Sequence, residues 1–171
     1  LESVADGSSR RYVQSLAWLR LARIELAEGN PEAALELLDQ PITDTLAAQQ
    51  ANADDTSAQL NIGVFYQTRG QLALAEDAYQ RAIELDPYFI AAYVNLADLY
   101  RASFRDPDAE RLLKTGLQQL PEAAPLPFSL GLLNVRNKQM DQALSALRQA
   151  VTLDPDTSRY RYVLAVGLNS T

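Results

Sequence analysis

The sequence has no histidine and no cysteine, and only one Met and one Trp among its 171 residues. Without imidazole and thiol side chains it lacks disulfides, haem-attachment motifs, the usual zinc ligands, and the commonest catalytic base and nucleophile. A catalytic site would have to be built from carboxylates, hydroxyls, Tyr, 13 Arg and two Lys. We therefore expect no metal, no cofactor and no enzyme activity.

The chain also lacks an excess of positive charge. It has 15 basic and 22 acidic residues, which gives a net charge of −7 and a pI near 4.6. A general polyanion binder needs cations that displace counterions from phosphate. We expect no nucleic-acid partner.

Long apolar runs are missing as well. The longest stretches without a charged residue, Thr56–Thr68 and Ala123–Val135, cover 13 residues each, whereas a membrane span needs roughly 20 mostly apolar residues. The chain begins at Leu1 and shows no basic-then-apolar signal segment, which indicates a fragment or processed product. We expect no membrane span.

The pattern that is present is a repeat marked by Pro87, Pro121 and Pro155, each 34 residues from the next. In units that place this proline at position 32, positions 8, 20 and 27 always hold Gly or Ala. Two antiparallel helices approach closely only where side chains are small, so these positions predict helix contacts. They are Gly63, Ala97, Gly131 and Ala165; Ala75, Ala109 and Ala143; and Ala82, Gly116 and Ala150.

This pattern resembles the tetratricopeptide repeat (TPR) family. The match is densest in Asn61–Pro87, NIGVFYQTRGQLALAEDAYQRAIELDP. The resemblance implies an all-α fold, a right-handed superhelix of antiparallel helix pairs. Apolar spacings of three and four residues agree with helices, and we expect no strands.

The repeat predicts one solenoid domain with six parts. Pro41 departs from the pattern of the degenerate first repeat and should end its second helix near Gln40, since proline disrupts a helix interior. The seven residues beyond one period predict a short extra helix near Thr45–Ala51. The parts are an N-terminal segment 1–14, a degenerate first repeat with an insertion 15–55, repeats 56–89, 90–123 and 124–157, and a truncated repeat or capping helix 158–171.

Local signals predict where the helices begin, end and turn. Asn30 and Asp106 each precede a proline and should cap a second helix, and Asp55 indicates another helix entry. The Leu-Asp-Pro segments at 85–87 and 153–155 should end helices. Gly29 and Gly70 indicate tight turns.

The acidic residues at 25, 28, 32 and 36 could in principle supply the paired carboxylates of a glycosidase. They end one predicted helix and begin the next, so solvated helix surfaces explain them better. Neither Lys follows a Gly-rich phosphate-binding turn, and no Gly-x-Ser-x-Gly motif occurs.

The TPR resemblance implies a binding groove along the first helices of the repeats. It predicts a non-catalytic scaffold that holds a peptide or helix of a partner protein. Chaperone-tail-binding members use Lys at position 5 and Asn at position 9, whereas this chain has Leu60/Val64, Val94/Asp98 and Phe128/Leu132, so a carboxylate clamp is not expected. The groove residues carried over are Leu60, Val64, Gln67, Val94, Asp98, Arg101, Phe128, Leu132, Val135 and Arg136.

Two alternatives remain open. The apolar last helix could join copies of the chain, which would make it a self-associating structural segment and a homo-oligomer through its terminal helices. Residues 92–101 (AYVNLADLYR) and 159–171 (RYRYVLAVGLNST) are also similar to the repeat tails of bacterial exported multihaem cytochrome-associated proteins. That resemblance implies the docking module of a larger exported enzyme or cytochrome complex, and it favours the bacterial periplasm over the cytoplasm.

Overall fold

The computed structural model describes Trp18, residues 20–34, 36 and 37, and 54–169. Both ends are defined for seven helices: α1 (Thr56–Thr68), α2 (Leu72–Leu85), α3 (Ile90–Ala102), α4 (Asp106–Gln119), α5 (Pro125–Arg136), α6 (Met140–Leu153) and α7 (Ser158–Leu168). Residues 20–27 and the described part of 31–37 are helical too, and no described residue forms a strand. The all-α fold class is confirmed. The predicted helix near Thr45–Ala51, the stop near Gln40 and the segment 1–14 lie outside the described residues.

The helices follow the predicted period. The first helices of successive pairs, α1, α3, α5 and α7, begin at Thr56, Ile90, Pro125 and Ser158. Helices α2 and α6 end at the Leu of their Leu-Asp-Pro segments, because a residue before proline disfavours the α conformation. None of the helices in the described part of the chain has the length and apolar character that a membrane crossing requires.

The chain divides into two compact units, Leu1–Ala78 and Tyr79–Thr171. In the first unit, Ala22, Ala34 and Phe65 form a buried cluster against which Leu37 packs. The Asp55 carboxylate caps α1 as predicted, since its Oδ1 accepts hydrogen bonds from the backbone N–H of Ser57 at 2.9 Å and Ala58 at 3.3 Å.

In the second unit, each helix packs on the next from α3 to α7, and the first helices α3 and α5 also contact each other. A cluster of Phe128, Leu147 and Ala150 joins α5 to α6, and residues of α7 pack against it, among them Val163 and Leu164. This packing lays the first helices side by side, and it is what positions the candidate site.

The Gly and Ala positions of the repeat are packing contacts, as predicted. Nine of the ten are buried. A Cβ added to Gly116 would lie 2.9 Å from Cδ1 of Tyr93, and one added to Gly131 would lie 2.7 Å from Cγ of Leu147. The prediction is wrong for Ala165, which is exposed, because no helix after α7 lies within the described residues to cover it.

The turn between the two helices of each pair has a left-handed backbone at the same point of the repeat. Gly29 and Gly70 have φ values of 84° and 74°, which confirms the predicted tight turns. Phe104 and Lys138 occupy the equivalent points with φ values of 58° and 59°. Residues with a side chain adopt this region at an energetic cost, whereas Gly does not.

The predicted side-chain caps at Asn30 and Asp106 are wrong. The Asn30 Nδ2 donates a hydrogen bond to Oε2 of Glu25 at 3.0 Å. Helix α4 already includes Asp106, and no side chain caps its first turn. The Asp106 carboxylate turns toward α5, where its Oδ2 lies 3.4 Å from Nε of Arg136. The Asp106 carboxylate thus forms an ion pair between repeats instead of the helix cap that the local sequence predicts.

Candidate partner-binding surface

Helix α3 contributes an apolar residue and an ion pair to one face. Val94 and Asp98 are four residues apart, which places them on the same side of the helix. The Asp98 Oδ1 accepts a hydrogen bond from Nη2 of Arg101 at 2.8 Å. Burial raises the pKa of Asp98 above its ordinary value, while the charges of Arg101 and of Arg159 on α7 act in the opposite direction. The Asp98 carboxyl therefore interacts with charges on two first helices, Arg101 on α3 and Arg159 on α7.

Helix α5 is joined to α3 through Arg136. Its Nη1 donates a hydrogen bond to the backbone carbonyl of Arg101 at 2.5 Å, and its Nε faces Asp106. The Arg136 guanidinium also lies 5.0 Å from the ring centroid of Phe104, whose side chain is 84% exposed. Leu132, four residues before Arg136, is partly buried and packs against the cluster of Phe128, Leu147 and Ala150, whereas the neighbouring Val135 is 39% exposed. This end of α5 is thus an apolar edge beside a fixed positive charge.

Helix α7 covers a residue that the sequence assigned to the groove. The Phe128 ring is 5% exposed, with the Tyr160 ring 4.6 Å away and the Arg159 guanidinium 5.1 Å from its centroid. Contrary to the sequence prediction, Phe128 does not line an open groove but belongs to the core between α5 and α7. Tyr162, which follows on α7, is 71% exposed and offers an aromatic side chain instead.

Val94 and Asp98 share one side of α3, Arg136 on α5 is hydrogen-bonded to the carbonyl of Arg101, and the charge of Arg159 on α7 acts on Asp98. We group these residues with their neighbours at helical spacing, call the group the first-helix surface, and define it as Val94, Asp98, Arg101, Leu132, Val135, Arg136, Arg159 and Tyr162. Leu60, Val64 and Gln67 lie on α1 of the first unit and are each partly buried.

Arg159 and Phe104 were absent from the predicted groove residues. Arg159 occupies position 2 of its repeat, which the TPR pattern directs toward the groove, so a signal for it was present. Phe104 lies in a turn, and its contact with Arg136 depends on packing between two repeats.

The first-helix surface combines apolar side chains with guanidinium groups, a composition suited to protein recognition. In the described part of the chain, no three carboxylates gather into a group that could hold a metal ion. The chemistry available at this surface is hydrogen bonding, ion pairing and apolar contact.

Two family models match the chain. The model described as a tetratricopeptide repeat-like domain matches residues 1–88, which is about half of the chain, and a tetratricopeptide repeat model matches residues 128–157. Together they include α1 and α2, most of α5 and all of α6.

Among curated proteins, human protein O-mannosyl-transferase TMTC3 is 27% identical over 136 residues, which covers 71% of this chain and 15% of that protein. The mouse protein of the same name matches with the same identity and coverage. The chain therefore spans a small part of the length of these relatives.

Among solved structures, a thermophilic TPR protein of Thermus thermophilus superposes with a TM-score of 0.65 at 17% identity, covering 90% of this chain and 98% of that one. The first TPR domain of Spaghetti (RPAP3), bound to the HSP90 peptide SRMEEVD, superposes with a TM-score of 0.58 at 16% identity, covering 67% of this chain and 91% of that one. These likenesses show the TPR fold.

Proposed function

The chain belongs to the tetratricopeptide repeat family, and on that premise we propose that it is a non-catalytic scaffold that binds a segment of a partner protein. The bound segment lies along the first-helix surface as an extended peptide or an amphipathic helix. The TPR fold by itself does not specify a ligand, so the residues of the first-helix surface determine what it binds.

One observation carries the proposal. Nine of the ten small residues of the repeat are buried in helix contacts, whereas Val135 and Tyr162 keep 39% and 71% of their area exposed beside charged side chains. Partly exposed apolar side chains rimmed by charged groups are typical of protein interaction sites. Core packing does not explain these two side chains.

The similar domain of RPAP3 binds an HSP90 peptide, and it supports peptide binding on this fold. We propose a different mode of recognition for this chain. Val94 and Asp98 stand where chaperone-binding relatives have the clamping Lys and Asn, so a terminal carboxylate is not the expected ligand. The O-mannosyl-transferase relatives are covered over 15% of their length, and we propose no transferase activity for this chain.

The experiment that tests the proposal is affinity capture with the double variant Val94→Glu/Val135→Glu. Val135 is exposed and Val94 is partly buried, so the two substitutions place carboxylates on the apolar part of the first-helix surface at positions outside the fully buried core. We expect partners captured from an extract of the source organism by the wild-type chain to be lost, while far-ultraviolet circular dichroism stays unchanged.

The matched control is Gln118→Glu/Gln149→Glu, which adds the same charge to exposed positions of the second helices α4 and α6. Partner capture should survive in this control. If the partners bind equally to wild type and to both variants, the first-helix surface is not the binding site.

Self-association is a second candidate function, favoured by α7. Tyr162, Val166 and Leu168 are 71%, 48% and 44% exposed, and Ala165 is exposed beside them. Analytical ultracentrifugation tests self-association, because a single monomeric species across a wide concentration range contradicts it.

The docking-module alternative rests on the residues quoted for the cytochrome-associated resemblance, and the family matches do not confirm it.

A further inference from the structure

We infer that the segment bound by the first-helix surface is acidic, with side-chain carboxylates that pair with Arg159, Arg136 and Arg101. This inference rests on the proposed function and adds the chemical class of the partner. Three observations carry it: the distribution of charge among the helices, the geometry of the arginines, and the unequal way in which they are neutralised.

Charge is unevenly distributed between the two units, and also among the helices of the second unit. Residues 79–171 contain ten acidic and ten basic side chains, so the whole net charge of −7 lies in residues 1–78. The first helices α3, α5 and α7 hold Arg101, Arg136, Arg159 and Arg161 against Asp98 as their one acidic residue. Four positive charges and one negative leave these helices with +3. The helices that line the proposed site are therefore the cationic part of a neutral unit.

The arginines of this surface belong to one connected group. Arg136 donates to the carbonyl of Arg101, Arg101 pairs with Asp98, and the charge of Arg159 acts on Asp98. A segment that crosses from α3 to α7 meets all three guanidinium groups. Such clusters are a recurrent device for recognising acidic motifs.

Only part of this positive charge is neutralised internally. Arg101 has Asp98 at 2.8 Å and Arg136 has Asp106 at 3.4 Å. Among the described residues, no carboxylate lies within ion-pair distance of Arg159, whose side chain is exposed. An incoming carboxylate can therefore pair with Arg159 without breaking an existing salt bridge.

The aromatic rings prepare two of the guanidinium groups for binding. Arg159 lies over Phe128, and Arg136 lies over Phe104. A guanidinium placed over a ring is oriented by it and keeps N–H groups available for a carboxylate. Because the side chains are partly ordered before binding, less conformational entropy is lost when the pair forms. Val135 and Tyr162 supply apolar contacts beside these charges.

The test uses a phage-displayed library of random dodecapeptides selected on the immobilised chain. We expect Asp and Glu to be enriched together with apolar residues among the peptides that wild type retains and a Val94→Ser/Val135→Ser variant, whose net charge is unchanged, does not retain. The most enriched peptide, labelled with fluorescein, then gives dissociation constants by fluorescence anisotropy.

Arg159→Gln should weaken binding of this peptide about tenfold, because a charge-assisted pair is lost. Arg159→Lys keeps the positive charge but not the planar fork of the guanidinium, so it should weaken peptide binding less than Arg159→Gln does. The matched control is Arg161→Gln on the same helix, whose Nη1 donates to the carbonyl of Pro155 at 2.7 Å, and here the change should stay below about twofold. Replacing the peptide's acids with amides should remove the difference between wild type and Arg159→Gln.

Neutral or basic peptides that still depend on Val94 and Val135 would overturn the acidic class and leave the proposed function standing. Equal affinities of Arg159→Gln and Arg161→Gln would also overturn the inference. Failure to enrich any peptide over the double variant would contradict the inference and the proposed function together. If sedimentation shows self-association that Arg159→Gln abolishes, the occupant is the acidic part of a second copy, and the assignment to a partner protein is wrong.

Discussion

Gly131 on α5 faces Leu147 on α6 so closely that a Cβ on Gly131 would lie 2.7 Å from the Leu147 Cγ. Leu147 is fully buried, and because protein interiors are close-packed its side chain would displace its neighbours if it moved aside. The contact shows why the repeat keeps small residues at these points: they set the distance between helices, and that distance places α3, α5 and α7 beside one another.

Gly131→Ala should destabilise the chain despite the better helix propensity of Ala. Propensity favours Ala over Gly by about 1 kcal/mol, whereas overpacking a filled core costs about 1–3 kcal/mol. We expect a net loss of about 1 kcal/mol in the free energy of unfolding, measured by urea denaturation. A gain in stability would show that the α5–α6 contact is looser than this distance indicates.

Ala97→Leu and Ala165→Leu form a matched pair, because both residues occupy position 8 of a repeat. Ala97 is buried and Ala165 is exposed. We expect Ala97→Leu to lower the free energy of unfolding by about 1–3 kcal/mol through overpacking, and Ala165→Leu to change it by less than about 0.5 kcal/mol, as for other surface substitutions. Equal effects in urea denaturation would contradict the packing role of this position.

Lys138→Gly should stabilise the chain. Lys138 has a φ of 59°, a conformation that Gly adopts without the steric cost of a Cβ. The left-handed conformation costs a residue with a Cβ about 1–2 kcal/mol, and the larger backbone entropy that Gly loses on folding offsets about 0.5–1 kcal/mol of this gain. We therefore expect a net gain in the free energy of unfolding of about 0.5 kcal/mol, measured by urea denaturation. Phe104→Gly should gain less, because it also removes the contact with Arg136. Gly70→Ala, the reverse change at the equivalent point, should be destabilising.

Because of Asp98, the free energy of unfolding should fall as the pH rises, which is the opposite of the usual effect of a carboxyl group. Burial raises the pKa of Asp98 in the folded chain, so the unfolded chain releases this proton first as the pH rises. The contribution of Asp98 is therefore most favourable below its unfolded pKa and is lost as the pH rises through the folded pKa, with Arg101 and Arg159 limiting the loss. Asp98→Asn lacks this titration. We expect the variant to gain stability relative to wild type between about pH 4 and neutrality, measured by urea denaturation.

A difference between wild type and Asp98→Asn that stays constant with pH, or that reverses its sign, would contradict the raised pKa. Asp154 provides the opposite case in the same unit. Hydrogen bonds from the Thr157 side chain, and from the backbone N–H groups of Thr157 and Asp156, lower the pKa of Asp154. Its contribution is present above the unfolded pKa and is lost as the pH falls.

Much of the fold could be predicted because the repeat couples many positions to one spacing. Proline ended α2 and α6 where expected, and the small residues marked the close helix contacts. Local sequence was least informative where one repeat meets the next. Asp106 looks like a cap but pairs with Arg136, and Phe128 looks like a groove residue but is covered by Tyr160 and Arg159. Both outcomes depend on contacts between residues that are distant in sequence.

The left-handed turns at Phe104 and Lys138 were missed for another reason. Gly29 and Gly70 carry the usual turn signal, whereas Phe and Lys do not. Their position in the repeat did carry a signal, because Phe104 and Lys138 occupy the same point of the repeat as Gly29 and Gly70. Comparison of equivalent positions would have predicted the backbone conformation of Phe104 without identifying its contact with Arg136.

The most direct test of the proposed binding role is backbone amide chemical-shift mapping with the selected dodecapeptide. The proposed role predicts that the shifts concentrate in α3, α5 and α7, around Val94, Val135 and Tyr162, and leave the exposed sides of α4 and α6 unchanged. Shifts concentrated on α4 and α6, with the first helices unaffected, would contradict it.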